Sequence, residues 1–197
     1  MRIVTPEQVQ QLLAVIGPRE PFGERDRALI QLALHTGLRS HELCSLDVGQ
    51  VMSWDFIPRQ WLEVVGKGRR QRQVPLNASA RKAIIDLVHF NRARGFAVCQ
   101  ESPLLVTRQH KRLPTRTLRD IIQKYRERAD LDVRCSPHTF RHTFASRLAS
   151  CASLPVVQTV LGHRHLSSTQ VYAHTTPDQL SRGVDRLAER VVRLAQD

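Results

Sequence analysis

His138-Thr139-Phe140-Arg141-His142 opens a stretch of helical periodicity, 138–150. His138 and His142 stand four apart and share a helix face, the spacing of a zinc-binding pair. The residues between them are Thr, Phe and Arg, with none of the glutamate of a metalloprotease motif, and an arginine beside the pair repels a cation. No metal and no other cofactor is therefore expected. His142 is read as a support for the helix or its pocket.

Outward from this segment, the pattern is mostly helical. Upstream, 78–94 and 115–129 carry helical periodicity; downstream come 154–161, 167–173 and 178–195. Thr5-Pro6-Glu7-Gln8 has the signature of a helix start, with Thr5 as N-cap and Gln8 completing a capping box. A second helix, after the Gly/Pro-rich break at 17–23, runs through Leu29, Ile30, Ala33 and Leu34 to Gly37, a predicted C-cap. Trp61-Leu62-Glu63-Val64-Val65 and Arg72-Gln73-Val74-Pro75-Leu76 predict a β-hairpin around the basic tip Gly66-Lys67-Gly68-Arg69-Arg70, with Leu104-Leu105-Val106 as a candidate third strand. The fold class expected is α+β, predominantly helical, with a small three-stranded antiparallel sheet.

The 197 residues fit one domain of ordinary size. Lys+Arg 30 against Asp+Glu 18 gives a net charge of +12, which favours a polyanionic partner and places nucleic acid ahead of an anionic membrane. Residues 1–8 lack the apolar run of a signal peptide, and no segment approaches the roughly 20 apolar residues of a membrane span. A cytoplasmic protein with no membrane partner is expected. Cys44, Cys99, Cys135 and Cys151 lie far apart with no Cys-x-x-Cys pair, so they are read as reduced, mostly buried thiols.

Five short elements stand in order: Thr36-Gly37-Leu38-Arg39 with Glu42; Gly66-Lys67-Gly68; His138-Thr139-Phe140-Arg141-His142; Leu161-Gly162-His163; and Tyr172. Taken singly, each arginine would read as a solvated or salt-bridging side chain. Together they suit a phosphodiester under in-line attack, whose transition state gathers negative charge that fixed guanidinium donors stabilise. Arg39 and Arg141 are the candidates, since a planar fork donates two parallel bonds and stays charged. A tyrosine hydroxyl with a pKa near 10 is about one part in a thousand ionised at pH 7, a handicap of roughly 4 kcal/mol. Tyr125, the other of two tyrosines, lies in an amphipathic helix that suits packing or the surface.

The five elements, in this order, resemble the tyrosine recombinase (phage integrase) family over roughly residues 5–190. The resemblance implies the family's catalytic domain and a site-specific DNA recombinase or integrase, which cleaves and rejoins double-stranded DNA through a 3′-phosphotyrosyl link without metal or ATP. It implies Tyr172 as nucleophile, His138 as general base, and Lys67 as proton donor to the departing 5′-oxygen. His163 would donate a hydrogen bond to the phosphate, and Glu42 would orient catalytic groups. Arg69, Arg70 and Arg72 at the hairpin are expected to contact phosphates rather than to form a merely solvated turn. For Arg108, Lys111, Arg112, Arg116 and Arg119, phosphate contact and uninvolved surface charge stay equally open.

The family's N-terminal core-binding domain has no counterpart ahead of Thr5, so a single catalytic domain over 1–197 is expected. A tetramer on DNA is implied, and a monomer when free is compatible with it. The stripe Leu180, Val184, Leu187, Val191, Leu194 fits packing on its own domain or exchange with a neighbouring protomer. Two other functions use the same features: a type IB topoisomerase-like nicking-closing activity, and a DNA-binding regulator that keeps the fold without the reaction.

Overall fold

Thr5 caps the first helix as its sequence predicts. Its Oγ1 accepts the Gln8 amide at 3.2 Å, and the Gln8 Oε1 accepts the Thr5 amide at 3.0 Å, closing a capping box. The computed structural model describes residues 3–17, 19–65, 71–162 and 176–193. Within them, α1 (Pro6–Ala14) and α2 (Gly23–Thr36) are followed by two short helices, α3 (Ser40–Cys44) and α4 (Val48–Val51). The hairpin strands β1 (Trp61–Val65) and β2 (Gln71–Pro75) lead to α5 (Ala78–Ala93), α6 (Thr115–Arg128), α7 (Pro137–Ala149), α8 (Leu154–Leu161) and α9 (Pro177–Arg193). The helix expected over 167–173 lies outside the described residues.

The core forms around α2, whose residues from Ala28 to Thr36 are buried except for half-buried Gln31. A helix buried nearly all round must be packed on several sides, and α2 is, with α5 and α7 against it. Val4 is drawn into the same core: its amide donates to the Thr143 Oγ1 at 3.0 Å, and its carbonyl accepts from the Arg147 Nη2 at 3.1 Å. Both polar groups of this fully buried residue are thereby satisfied by α7.

Among the described residues the sheet has two strands, where three were expected. β1 and β2 pair antiparallel from Trp61↔Pro75 to Val65↔Gln71. Leu104, Leu105 and Val106 are buried as the apolar run predicts, but they make only isolated bridges, Asp47↔Pro103 and Val106↔Arg112. Pro103 has no N–H to extend the first bridge, and the turn at 107–111 closes the second, where the Thr107 amide donates to the Lys111 carbonyl at 2.8 Å. A second correction concerns the thiols: Cys44 and Cys135 are buried, whereas Cys151 is half-buried and Cys99 exposed.

α9 lays Leu180, Val184 and Leu187 onto its own domain, and Gly183 allows the close approach. A Cβ there would sit 3.0 Å from the Ala152 Cβ and 3.2 Å from the Val156 Cγ1. Among the described residues no helix is long and apolar enough to cross a membrane.

One buried group on α2 makes stability depend on pH. His35 is buried, and its Nδ1 has no hydrogen-bond partner among the described residues. Burial, with the Arg147 charge as a lesser cause, pulls its pKa from 6.5 down to about 4. The unfolded chain therefore binds the proton more readily than the folded one. Stability is complete above pH 6.5 and is lost as pH falls toward 4, by about 3 kcal/mol for such a shift. Urea unfolding should show that loss in the wild type and a flatter slope in His35→Gln. Parallel pH profiles for the two proteins would contradict it.

Candidate active site

Two helix ends and one carboxylate organise the site. Gly37 ends α2 with φ +60°, in the left-handed region, where a residue with a Cβ is strained. A Cβ at Gly37 would also run into the ring of Phe144 on α7. With Phe144 in that space, the Gly37 carbonyl meets Arg141, three residues earlier on α7, whose Nη1 donates to it at 2.6 Å. The other terminal nitrogen, Nη2, donates to the Leu161 carbonyl at the end of α8, also at 2.6 Å. The last carbonyls of a helix lack intrahelical partners and carry its negative dipole end, so a guanidinium suits them on both counts.

α8 repeats this arrangement. Gly162 terminates it with φ +63°. Its carbonyl accepts from the Arg39 Nη2 at a longer 3.4 Å, and the Val160 carbonyl accepts from the Arg72 Nε at 3.0 Å. Three successive carbonyls thus meet three arginines.

Glu42 joins two of them. It stands at the third position of α3, where its Oε2 accepts the Arg39 amide at 2.8 Å and its Oε1 the Arg39 Nη1 at 3.0 Å. Arg72 grips the same carboxylate with both terminal nitrogens, at 2.8 Å each. Burial alone would raise the Glu42 pKa. The hydrogen bonds from Arg72 and the Arg39 amide, with the Arg72 charge, outweigh it and hold the group at about 2. Arg141 is shifted the other way, to about 10, by burial first and by Arg39 and Arg72 next, with Glu42 opposing. It remains a cation at neutral pH.

α7 also presents the two histidines. Ser136 caps it through Oγ, which accepts the Thr139 amide at 3.1 Å, and Pro137 starts it. This sets His138 in the first turn. The His138 and His142 Nε2 atoms lie 2.8 Å apart with the rings edge-on, so one hydrogen is held between two nitrogens. Burial, then the neighbouring His138 and Arg141, lower the His142 pKa. A cleft of about 420 Å³ opens here, lined among others by Arg39, His41, Arg119, His138, Arg141 and His142.

Of the residues singled out in the sequence, Arg39, Arg119, His138, Arg141 and His142 meet at this cleft, and Glu42 lies behind Arg39. Lys67, Arg69, Arg70, His163 and Tyr172 lie outside the described residues. Arg116 and Arg119 are exposed on α6, and Lys111 is exposed in the loop before it. Arg108 stacks 5.5 Å over the Phe22 ring. Arg112 is tied to the Asp47 Oδ1 at 2.5 Å and to the Cys44 and Leu46 carbonyls. Among the described residues no group of three or more His, Cys, Asp and Glu side chains is gathered as a metal site. Sequence reasoning passed over His41 and the α8 carbonyls, because a backbone acceptor leaves no residue-type signal beyond the terminating Gly162.

The Phage integrase family model matches residues 2–179. Tyrosine recombinase XerC of Anoxybacillus flavithermus is 38% identical over 179 residues, covering 89% of this chain and 58% of that protein. Among solved structures, the integrase from mycobacterium phage Brujita aligns with a TM-score of 0.69 at 25% identity, over 95% of this chain and 58% of that one. XerH site-specific recombinase bound to palindromic difH substrate aligns with a TM-score of 0.67 at 20% identity, over 99% and 53%. The chain spans less than two-thirds of the length of each.

Proposed function

The chain belongs to the phage integrase family, and from that premise we propose that it cleaves and rejoins double-stranded DNA through a 3′-phosphotyrosyl intermediate. The observation that carries the reading is the seating of Arg141 on the carbonyls of Gly37 and Leu161, beside Arg39 and His138 at one cleft. Guanidiniums fixed before substrate arrives need no reorganisation when charge develops on a phosphate's non-bridging oxygens. The Tyr172 hydroxyl oxygen bonds to phosphorus and its proton passes to His138. The bond from phosphorus to the 5′-oxygen breaks, and Lys67 protonates that oxygen. His163 donates a hydrogen bond to the phosphate. Exchanging one phosphate ester for another conserves the bond energy for resealing, so the scheme draws on no cofactor.

Arg116, Arg119 and Lys111, with Arg69 and Arg70, supply sequence-independent phosphate contacts. XerH, solved on its difH DNA substrate, supports DNA as the ligand of this fold. The protein works in the cytoplasm as a tetramer on DNA, with α9 the element available for exchange between protomers.

The test is a nicked suicide duplex carrying a site obtained by binding selection with the purified protein, analysed on a denaturing gel at low salt. A covalent protein–DNA band is expected. Its absence, when a known recombinase run alongside forms one, overturns the reading.

A further inference from the structure

Arg72 sits at the base of the basic hairpin, five residues from Lys67 and two from Arg70, which groups it by sequence with phosphate-contacting residues. The structure gives it different neighbours. Its side chain is 10% exposed, against 37% for Arg39. It does not line the cleft that Arg39 and Arg141 line.

A guanidinium binds a phosphate or carboxylate in bidentate fashion along an edge. In Arg72 the edge formed by the two terminal nitrogens is taken by Glu42, at 2.8 Å on both sides. The Nε that would complete the other edge is taken by the Val160 carbonyl, at 3.0 Å. Its stem is fixed as well, since a Cβ at Gly162 would lie 2.9 Å from the Arg72 Cδ. No open bidentate edge remains.

We infer that Arg72 is a positioning residue for cleavage and not a DNA contact: it clamps Glu42 to the end of α8, so that Glu42 holds Arg39 toward the phosphate. The inference rests on the recombinase reading of the same site. Each link is a direct bond: Val160 carbonyl to Arg72, Arg72 to Glu42, and Glu42 to the Arg39 amide and guanidinium. The clamp ties β2 to α3 and α8, three elements that contribute nothing continuous to one another along the chain. Lysine cannot replace it, because one ammonium cannot reproduce a planar fork that also reaches a carbonyl through its Nε.

The experiment measures two quantities for wild type, Arg72→Lys and Arg72→Gln on the selected site. One is the single-turnover cleavage constant at saturating DNA; the other is the slope of log affinity against log salt. A positioning role predicts cleavage slowed roughly 10–100-fold, the scale of a small misplacement in a reacting geometry, with the slope unchanged. It also predicts that Glu42→Gln and Arg72→Gln are non-additive, the double variant cleaving about as slowly as the slower single one. A phosphate contact predicts a slope lower by about 0.9 and a wild-type cleavage constant at saturation. That pattern, or losses that multiply in the double variant, overturns the inference. Should Arg72→Gln fail to fold, Arg72→Lys carries the cleavage readout: it keeps the charge but lacks the fork, so a positioning role predicts the slowed cleavage and a simple phosphate contact predicts a cleavage constant near wild type. Should wild type form no adduct, the recombinase reading falls, while the salt slope still reports whether Arg72 neutralises a phosphate.

Discussion

Tyr172→Phe is expected to leave no covalent adduct on the suicide duplex, while Tyr125→Phe forms it in near wild-type yield. The chain has two tyrosines, and the surroundings of one disqualify it. Tyr125 is fully buried, and its hydroxyl lies within donating distance of two carboxylates, the Asp26 Oδ2 at 2.9 Å and the Glu20 Oε2 at 3.0 Å. A nucleophile must shed its proton. Here burial, followed by the Asp26 and Glu20 carboxylates, pushes the pKa well above the ordinary tyrosine value, so the phenolate is less accessible than in water. The hydroxyl is instead part of a staple from the loop before α2 to α6, with Lys124 bonded to both it and Glu20. Removing it costs about 1–3 kcal/mol, or roughly 2–4 °C of melting midpoint per kcal/mol at this chain length. The comparison is therefore made well below both midpoints. An adduct that persists in Tyr172→Phe would remove Tyr172 as the nucleophile, and one lost from folded Tyr125→Phe would give Tyr125 a part in the chemistry that its surroundings argue against.

The same contrast marks how far the sequence could be read. Thr5, Gln8 and Gly37 were legible because caps act within a few residues: a hydroxyl three positions from an amide, or a glycine where φ must turn positive. α3 and α4 were not, since five and four residues are too few for an apolar period to register. Leu104-Leu105-Val106 shows a different limit. An apolar run reports burial, and burial is what the structure gives, but a ladder needs partners on the neighbouring segment. Pro103 and the turn at 107–111 leave only single rungs.

Residue types and their order were enough to single out Arg39, His138, Arg141 and His142, which the structure brings to one cleft; the division of labour among the basic residues was not legible. Arg39, Arg72, Arg108 and Arg112 look alike in a basic sequence. What separates them is the partner each meets: Gly162 123 positions from Arg39, Glu42 30 positions from Arg72, and Asp47 65 positions from Arg112. No local pattern encodes such distances. Arg112 bonded to Asp47 and Arg108 stacked on Phe22 are partly committed within the fold. Exposed Arg116 and Arg119 on α6 are freer to meet a phosphate.

Arg141→Ala is expected to slow adduct formation by about three orders of magnitude, the upper range for losing one pre-organised donor group, and Arg141→Lys to recover little of it. The argument rests on rigidity and charge together. Both terminal nitrogens are held at 2.6 Å, on Gly37 at the end of α2 and on Leu161 in the last turn of α8, so the cation is fixed before DNA binds. At a pKa of about 10 it is charged in all but about one molecule in a thousand at pH 7. A lysine there would face the same burial and the same neighbouring cations, Arg39 and Arg72, from a lower starting pKa, and these lower a lysine further. Its single ammonium would also lack the fork that spans two carbonyls. Because the site is fixed in the free protein, the loss should fall on the cleavage constant at saturating DNA, with affinity set mainly by the exposed arginines. Circular dichroism and the melting midpoint separate this from unfolding, since the substitution also leaves two helix-end carbonyls without their donors. A folded Arg141→Ala protein cleaving within tenfold of wild type would mean that the phosphate is stabilised elsewhere, and the seating of Arg141 on two helix ends would then be architecture alone.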